Sequence, residues 1–556
     1  MKFYFIVLIF SILFLGCNKN NTVNTNVPTQ PPSFSFNSLK VNDFFFGFKY
    51  YNVNTVPILK FNFTAPVKRE TVASSVTFIE KSSNLAVAIN ITYGNNDSTI
   101  IIQPSSSLKY LTQYSVTVGS ALLSSAGGHL LSQVDVSLIT QIDSTDKFTQ
   151  ISDSALLDLV QKQTFKYFWD FGHPTSGLAR ERNTSGDVVT SGGSGFGIMA
   201  MVVAVQRNFI TRTDAVTRML KIVNFLTNQA QKYHGAFPHW MNGATGATVP
   251  FSTKDDGADL VETSYLMQGL LTARQYFNNT SDANEIDLRN KINALWNNVE
   301  WSWFTQGNQN VLYWHWSANN GWAMNVPIRG WNECLVTYVL AASSTNYSIA
   351  NTVYSSGWAQ SGAIKNGSTY LGITLPLGAA YGGPLFFAHY SFLGIDPNGL
   401  TDVYANYLTQ NIAHTKINYN YCVNNPNANN GYSSLCWGLT ASDISGGYTA
   451  SSPTNDVGVI APTAAISSMP YTPTESMAAL KFFYYKLGDK IWKDYGFTDA
   501  FNLSTLWYAD SFLAIDQGPM ICMIENYRSK LLWNLFMSCS EVKTGMTKLG
   551  FTSPHF

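Results

Sequence analysis

The chain has 556 residues, enough for two to four domains, so a small scaffold held together only by disulfides is excluded. Charged residues make up 12% of the chain and aromatic residues 14%, which is typical of a folded protein with a large core and not of a disordered one. Lys and Arg number 34 and Asp and Glu number 34, so no long-range field attracts nucleic acid or anionic lipid, and recognition must be local.

The N-terminus predicts a signal peptide, a lipid anchor and a tether. Lys2 precedes the apolar run 3–15, which is too short to span a membrane and has the layout of a secretory signal. Its Gly-Cys junction resembles a bacterial lipobox, so we expect a signal peptide at 1–17 and lipidation of Cys17, with simple cleavage as the alternative. Residues 18–33, rich in Asn, Thr, Pro and Gln, predict a flexible tether. We therefore expect a lipid-anchored protein of the bacterial cell envelope, on the periplasmic or outer-membrane surface.

Residues 34–141 predict a β-sandwich. Leu59, Phe61 and Phe63 alternate with polar residues, as in a half-buried strand, and turn signals separate several short segments of this kind. The stretch 107–118 resembles the closing strands of bacterial Ig-like modules. No charged or aromatic constellation indicates a site in this half, so we interpret it as a spacer or brace.

From about residue 150 to 545 the apolar period is helical and predicts an all-α domain of ten to twelve helices. One helix is expected to run from Pro473 to about Trp492, with Thr472 as its cap and Glu475 reaching back in a capping box. Paired helices joined by long Gly-, Asn-, Trp- and Tyr-rich loops favour an α/α toroid with a ligand cleft at one end.

The cysteines after Cys17 give no metal signature. None lies in a Cys-x-x-Cys pair and no His stands beside them at metal-site spacing, so we expect no zinc site. In an oxidising envelope Cys422 and Cys436 could be bridged or free. The other three are expected to be buried thiols: Cys334, Cys522 and Cys539.

Acidic residues between 255 and 262 are candidates for catalysis. A helix starting near Asp256 would place Asp255, Asp259 and Glu262 along one stripe, where crowded carboxylates raise each other's pKa and keep one protonated as a general acid. The alternative is that acids simply favour a helix N-terminus and face water. Glu262 lies further inside an apolar stretch, which favours function for Asp259 and Glu262.

Glu333 is a second candidate. It opens an almost wholly apolar helix beside Trp331, where partial desolvation would raise its pKa as a proton donor requires. The alternative is a structural ion pair with Arg329. Weaker candidates follow later in the chain: Asp443, Asp456, Asp516 and Glu525. For Glu525, a structural ion pair with Arg528 is the simpler interpretation.

Aromatic residues in loops suit stacking on sugar rings. Trp240, Trp314 and Trp316 are candidate platforms, and most other aromatic residues must belong to the core. The Gly-rich segment 192–197 lacks the Lys of a phosphate loop and a preceding strand, so nucleotide binding is not expected; we interpret it as a segment packed tightly against substrate or a helix.

Several motifs, in order, resemble the glucoamylase-like lipoproteins of glycoside hydrolase family 144, the bacterial β-1,2-glucanases. They cover roughly residues 150–545 and comprise FWDFGHP at 168–174, GLARER at 177–182, GGSGFG at 192–197, GAFPHW at 235–240, DDGADLVET at 255–263 and DQGP at 516–519. The resemblance implies an (α/α)6 barrel and hydrolysis, with inversion, of β-1,2-glucan or sophoro-oligosaccharides, without a metal or cofactor. It places Asp255, Asp259, Glu262 and Glu333 in the acidic cleft and favours Glu333 as general acid.

The resulting hypothesis is inverting glycoside hydrolysis. Glu333, or Glu262 in second place, donates the proton, Asp259 is the candidate base, and Asp255 or Arg180 holds sugar hydroxyls. The remaining substrate-binding residues are predicted to be aromatic: His239, Trp240, Trp314, Trp316 and Trp331. The alternatives are a non-catalytic glycan-binding envelope lipoprotein and a hydrolase of another β-glucan. No nucleic-acid partner is expected, and a monomer is the default.

Overall fold

The structure, a computed structural model, describes residues 31–556; the expected signal peptide, Cys17 and the tether up to residue 30 lie outside the described residues. The chain divides into two compact units. Of the described residues, the first unit contains 31–50 with Val56–Ser107 and Tyr114–Leu138, and the second contains the rest, chiefly Ile139–Phe556. Among residues 31–556, no helix combines the length and the apolar character that crossing a bilayer requires.

The strand-rich region between residues 36 and 140 forms two sheets, with the orders β1-β3-β7-β6 and β2-β9-β8-β4-β5. A one-turn helix, α1 (Val72–Ser75), precedes β4. The strands are β1 (Phe36–Val41), β2 (Lys49–Val53), β3 (Leu59–Phe63), β4 (Val76–Glu80), β5 (Leu85–Ala86), β6 (Ile89–Gly94), β7 (Thr99–Pro104), β8 (Gln113–Val118) and β9 (Val134–Thr140).

The alternation predicted for β3 is confirmed. Leu59, Phe61 and Phe63 are buried, while the residues between them are partly exposed. The antiparallel register sets Leu59 opposite Ile102 and Phe61 opposite Ile100, and both isoleucines are fully buried. One face of this sheet therefore forms a core of cross-strand apolar pairs.

The second unit is helical, as predicted. Its helices are α2 (Asp153–Trp169), α3 (Ser191–Gln206), α4 (Arg212–Asn228), α5 (Leu260–Tyr276), α6 (Ala283–Asn297), α7 (Leu335–Ser343), α8 (Asn351–Val353), α9 (Tyr407–Asn424), α10 (Pro462–Ile466), α11 (Pro473–Ile491), α12 (Ala514–Ser529), α13 (Leu531–Ser538) and α14 (Ser540–Lys548).

Wholly buried helices alternate with amphipathic ones along this unit. Helices α3, α5, α7 and α12 bury nearly every residue, whereas α2, α4, α6 and α11 bury one side. A helix that is apolar all round must be surrounded by protein, so the first set forms an inner layer and the second an outer layer. α3 and α5 pack closely because Gly195 and Gly269 face one another's helix; a methyl group on Gly195 would collide with the carbonyl of Tyr265.

Short strands in the loops of this unit fix the residues near the helix ends. They are β10 (Val188–Thr190), β11 (Trp240–Asn242), β12 (Thr248–Val249), β13 (Ala258–Asp259), β14 (His315–Trp316), β15 (Thr369–Tyr370), β16 (Ile373–Thr374), β17 (Ala441–Ile444), β18 (Gly447–Ala450), β19 (Trp492–Lys493), β20 (Gly496–Phe497), β21 (Phe501–Asn502) and β22 (Trp507–Tyr508).

One local prediction needs correction, and one alternative left open by the sequence is decided. Helix α11 has the expected bounds, but Thr472 makes no capping hydrogen bond, and Glu475 forms an ion pair with Lys416 at 2.8 Å instead of reaching back. Cys422 and Cys436 are both buried free thiols, so the alternative without a bridge is the one found.

Candidate active site

A cavity of about 420 Å³ in the helical unit is lined by carboxylates, aromatic rings and one guanidinium group. Its wall includes two of the predicted acids, Glu262 and Glu333. The other residues are Glu181, Arg182, Thr190, Phe196, His239, Trp240, Phe251, Tyr265, Trp314, Phe386, Tyr390, Ala441, Tyr448, Ala450, Leu513 and Ile515. A concave, mostly aromatic site with a few convergent polar groups is the usual form of a small-molecule or oligosaccharide site.

Helix α5 begins later than predicted, and this changes the geometry of the first acidic cluster. Ala258 and Asp259 pair as β13 with His315–Trp316, so the chain is extended there and the helix starts at Leu260. Asp255 therefore lies in the turn before the helix, and the prediction that three acids share one helical stripe from Asp256 onward is wrong. The β pairing nevertheless sets Asp259 directly opposite His315.

Asp259 is buried beneath the cavity and holds neighbouring groups in place. Its Oδ1 caps α5 by accepting the backbone N–H of Glu262 at 2.9 Å, and its Oδ2 accepts from His239 Nδ1 at 3.0 Å. Burial acts to raise the pKa of Asp259, but the His239 hydrogen bond and the charges of His239 and His315 outweigh it and lower that pKa. Asp259 is thus an ionised anchor.

Glu262 lies one turn into α5, against the N-terminus of α3. Its Oε2 accepts the backbone N–H of Gly192 at 2.7 Å and the hydroxyl of Thr190 at 3.1 Å. Only glycine fits at position 192, since a Cβ there would lie 2.7 Å from Oε2. Burial raises the pKa of Glu262, against the opposing effect of His239 and these two donors.

Two histidines and Asp255 complete this cluster. His315 Nε2 lies 3.4 Å from Asp255 Oδ2 and 3.8 Å from Asp259 Oδ2. Burial and then the charge of Asp259 raise the pKa of Asp255 to about 7. Although burial opposes it, the charges of Glu262, Asp259 and Asp255 raise the pKa of His239 to about 9, so His239 is a cation near neutral pH.

Potential metal-ligand atoms of His239, Asp255 and Asp259 lie within 4.8 Å of one another. Two of these residues already form a hydrogen-bonded ion pair, in which His239 donates its Nδ1 proton to Asp259. A histidine must lose that proton to bind a metal through the same nitrogen. The group is therefore arranged as a charge network in which a protonated His239 satisfies Asp259.

Glu333 lies at the cavity just before α7 and is half-buried. Burial raises its pKa to about 7, helped by repulsion from Asp259 and Glu262 and opposed by its own backbone N–H. In the described part of the chain, no ion pair joins Glu333 to Arg329. Glu333 is therefore a carboxyl group that carries a proton about half of the time at pH 7.

A second acidic cluster lies behind another part of the cavity wall. The carboxylate oxygen Oδ2 of Asp499 accepts from the backbone N–H of Asp443 at 2.6 Å, and a side-chain hydrogen bond joins Asp499 to Asp516. Burial, then repulsion from Asp499, raises the pKa of Asp516 well above its usual range, and burial raises that of Asp499 to about 6. The pair therefore holds one proton near neutral pH.

Arg182 connects this cluster to the cavity. Its Nη1 lies 3.2 Å from Asp443 Oδ1, and its Nε lies 2.9 Å from Glu181 Oε2. Asp443 also accepts from Ser511 Oγ at 2.5 Å and stands opposite Tyr448 in the β17–β18 hairpin.

Sequence reasoning missed Arg182, Tyr448 and the joining of Asp443 to Asp516. The two-residue turn at 445–446 between short strands is a hairpin signal that could have placed Tyr448 opposite Asp443.

The predicted sugar-binding residues divide into two groups. His239, Trp240 and Trp314 line the cavity. Trp331 is buried in the core, where its Nε1 donates to His414, and Trp316 packs against other aromatic rings.

Arg180 also points elsewhere. Its guanidinium group stacks on Phe171 at 4.5 Å and donates to the carbonyl of that residue. Arg180, Trp316 and Trp331 therefore do not line the cavity, because core packing and local hydrogen bonds hold them elsewhere.

Two of the weaker acidic candidates, Glu525 and Asp456, make structural contacts. Glu525 forms a bidentate pair with Arg207 at 2.8 and 2.9 Å, while Arg528 pairs with Asp158 instead. Asp456 accepts hydrogen bonds from loop asparagine and tyrosine side chains, which order the segment after α9.

Comparisons with known proteins agree with this arrangement. Residues 325–540 match the Glycoamylase family model, described as "Putative glucoamylase", and residues 49–140 match the bacterial Ig-like domain. An exo β-1,2-glucooligosaccharide sophorohydrolase (non-reducing end) of Parabacteroides distasonis is 48% identical over 422 residues, covering 72% of this chain and 58% of that protein. The chain thus matches less than two thirds of that relative's length.

Two solved structures are similar over most of the chain. The endo-β-1,2-glucanase of Chitinophaga pinensis, in complex with sophorotriose and glucose, is 50% identical with a TM-score of 0.71, covering 73% of this chain and 100% of that one. The β-1,2-glucanase of Parabacteroides distasonis is 38% identical with a TM-score of 0.70, covering 93% of this chain and 73% of that one. The chain therefore belongs to the glucoamylase-like family of bacterial β-1,2-glucanases, glycoside hydrolase family 144, and carries a bacterial Ig-like domain before the helical unit.

Proposed function

We propose that this protein is a glycoside hydrolase that cleaves β-1,2-linked glucan or sophoro-oligosaccharides with inversion of configuration. The observation that carries the proposal is Glu333, whose carboxyl group borders the aromatic cavity with a pKa of about 7. The relatives described above are named for hydrolysis of β-1,2-linked glucose chains, which supports the substrate class.

Glu333 is the proposed general acid. A group with a pKa near the working pH is protonated often enough to donate and acidic enough to give up its proton in the transition state. Glu262 is less suited, because its Oε2 already accepts from Gly192 and Thr190. These two donors stabilise the carboxylate form of Glu262, whose role we take to be holding sugar hydroxyls.

The base is proposed to come from the second acidic cluster. Asp259, the earlier candidate, uses both of its oxygens to hold α5 and His239, so we assign it a positioning role. Asp516 acts on the cavity through its charge, which after burial is the largest cause that raises the pKa of the cavity-lining Tyr390. The Asp499–Asp516 pair carries one negative charge and can accept a proton from water.

Placing the acid and the base on different walls suits inversion. An inverting enzyme needs its two carboxyl groups about 6.5–9.5 Å apart, so that a water molecule fits on the opposite face of the sugar. The charges of Asp516 and Glu333 both raise the pKa of the cavity-lining Tyr390, which supports placing both carboxyl groups near the same cavity. Trp240 and Trp314 are the proposed stacking platforms for the sugar rings.

The finer architecture is proposed to be an (α/α)6 toroid. The alternation of buried and amphipathic helices supports it, since an inner and an outer ring require this order along the chain. We also propose that Cys17 is lipidated and that residues 18–33 tether the folded part to a membrane of the cell envelope, as the Gly-Cys junction indicates.

Product analysis tests the reaction. The purified chain is incubated with β-1,2-glucan, laminarin, cellulose and starch, and products are sized while the initial anomer is read by NMR. We expect release from β-1,2-glucan alone, with the α-anomer formed first because inversion converts a β linkage. Binding without release would instead support a glycan-binding lipoprotein, and release from another glucan would reassign the linkage.

Variants test the base. Asp516→Asn should reduce kcat strongly while azide restores turnover as an α-glycosyl azide, because a small anion can replace activated water. Asp259→Asn should show no such rescue, since it only positions other groups. Rescue in the Asp259 variant and not in the Asp516 variant would reverse the two assignments.

A further inference from the structure

Four phenylalanines of the strand-rich unit are exposed in one short segment, residues 44–48, which we call the phenylalanine loop. It connects β1 and β2, and Phe44, Phe45, Phe46 and Phe48 are 63, 59, 70 and 47% exposed. Apolar residues exposed singly need no explanation, but a contiguous apolar patch usually marks a binding surface. This loop is the strongest such feature of the unit.

The patch extends beyond the loop. The ring of Phe48 lies 5.8 Å from that of Phe36 at the start of β1, and the rings of Phe44 and Phe46 are stacked at 6.1 Å. A groove of about 490 Å³ runs beside Phe36 and Phe48 and includes Leu131, which is 64% exposed. Exposed apolar groups therefore lie both on the phenylalanine loop and along the groove that begins at Phe48.

The chain enters the unit next to this surface. The backbone of Phe34 is fixed by hydrogen bonds with His129 and Leu131, and β1 begins two residues later. Ser33 follows Cys17 by sixteen positions, a length that could reach at most about 55 Å if fully extended. A lipid anchor at Cys17 would therefore hold this side of the unit within reach of the bilayer.

Charge near the patch also suits a membrane surface. Between residues 36 and 60 the chain has three lysines, Lys40, Lys49 and Lys60, and one acid, Asp43, which forms an ion pair with Lys60 at 2.6 Å. Asp135 also lines the groove, so the excess of positive charge beside the patch is small. Basic residues beside an apolar patch attract anionic head groups over a short range, which does not need a net charge on the whole protein. The four phenylalanine rings offer stacking faces but no hydrogen-bonding group for sugar hydroxyls, so a glucan bound there would lack the polar contacts that fix a ligand in its site.

We propose that the phenylalanine loop inserts its rings into the interface of the membrane that carries the protein, as a second contact besides the anchor. Two membrane signals are needed for stable attachment, because one acyl chain alone binds weakly and reversibly. This inference does not depend on the proposed hydrolysis, but it rests on the proposed lipid anchor at Cys17.

Vesicle flotation tests the proposal. The chain from residue 18 onward retains every described residue and lacks the lipid, so any binding must come from protein. It is mixed with vesicles of phosphatidylcholine, or of phosphatidylcholine with phosphatidylglycerol. We expect the unchanged chain to float, and Phe44→Ser with Phe46→Ser to lower the bound fraction by about tenfold, since each ring removes apolar area from the interface.

Matched variants separate insertion from loss of folding. Leu85→Ser changes an apolar side chain that is 65% exposed elsewhere in the same unit, and it should bind vesicles normally. Phe44→Trp with Phe46→Trp should restore binding, because tryptophan favours the membrane interface. All variants should hydrolyse soluble glucan at the unchanged rate.

Three results would overturn the proposal. In the first, the unchanged chain stays in the soluble fraction with both vesicle types. In the second, the double serine variant floats as well as the unchanged chain. Alternatively, soluble β-1,2-glucan could displace the chain from vesicles, which would assign the patch to sugar. Sedimentation showing a dimer that the serine variant lacks would assign the patch to a second copy of the chain.

Discussion

Replacing Glu333 by Gln tests the proposed acid most directly. Burial raises the pKa of Glu333 from 4.5 to about 7. At pH 7 the buried carboxyl is therefore about half protonated, against about 0.3% for an ordinary glutamate, a gain of roughly 150-fold in the competent form. The variant keeps the shape of the side chain but cannot donate a titratable proton, so kcat on β-1,2-glucan should fall by about 10²–10⁴-fold.

The assay compares two substrates. On β-1,2-glucan the variant should lose nearly all activity, whereas an aryl β-sophoroside with an acidic phenol should be cleaved much better, because such a leaving group needs no protonation. The unchanged enzyme should lose kcat/KM as pH rises through about 7, since Glu333 donates only while protonated. This alkaline limb should vanish in the variant. Glu475→Gln, which alters a carboxylate paired with Lys416, is the control and should behave normally.

The reasoning is refuted if Glu333→Gln retains normal kcat on glucan, or if both substrates lose activity equally while the alkaline limb persists. The first result removes Glu333 from proton transfer. The second makes it a binding residue and returns the acid role to Glu262.

Three further predictions concern the groups around the cavity. Asp259→Asn keeps a capping residue on α5 but removes its charge, so the pKa of His239 should fall below about 9. NMR titration of the His239 ring protons would detect this fall. An unchanged pKa would show that the ion pair between Asp259 and His239 is unimportant. Gly195→Ala forces a methyl group against α5 and should cost about 1–3 kcal/mol in the free energy of unfolding, measured in urea, whereas Gly447→Ala at an exposed site should cost almost nothing. Glu525→Gln leaves the partly buried guanidinium group of Arg207 without its ion pair and should lower the free energy of unfolding by about 2–3 kcal/mol, without changing kcat of the folded enzyme. A catalytic defect with unchanged stability would contradict a structural role for Glu525.

Local patterns were sufficient to predict the regular elements. The alternation at Leu59, Phe61 and Phe63 predicts β3, and the apolar stripe after Pro473 predicts α11, because these periods follow from the geometry of a single strand or helix. Capping was less predictable, since Glu475 has Lys416 from another helix as a competing partner.

The sequence was enough to predict which acidic residues form the first cluster, but not how the backbone places them relative to the start of α5. Asp255, Asp259 and Glu262 are close in sequence, yet the helix start depends on pairing with His315, more than fifty residues away. A single sequence carries no signal for that contact. The same limit hid the cluster of Asp499 and Asp516, which meets only after the chain folds.

The phenylalanine loop shows a further limit. An apolar run such as 44–48 ordinarily predicts a buried strand, and only the structure reveals that its rings are exposed. The apolar pattern of a segment shows which side chains it could bury. It does not show whether another part of the fold packs against them.

The Gly-rich start of α3 explains why two glutamates on one cavity take different roles. Gly192 lends its N–H to Glu262, and Gly195 lets α5 approach closely enough for that contact. The N-terminus of a helix favours an anion, so this segment, which lacks the features of a phosphate loop, holds a carboxylate instead. Glu333 has no comparable side-chain or helix donor among the described residues, and its carboxyl remains free to give its proton to a glycosidic oxygen. Introducing Ala at position 192 should therefore raise the pKa of Glu262 and disturb sugar binding, while the alkaline limb near pH 7 that Glu333 sets should remain.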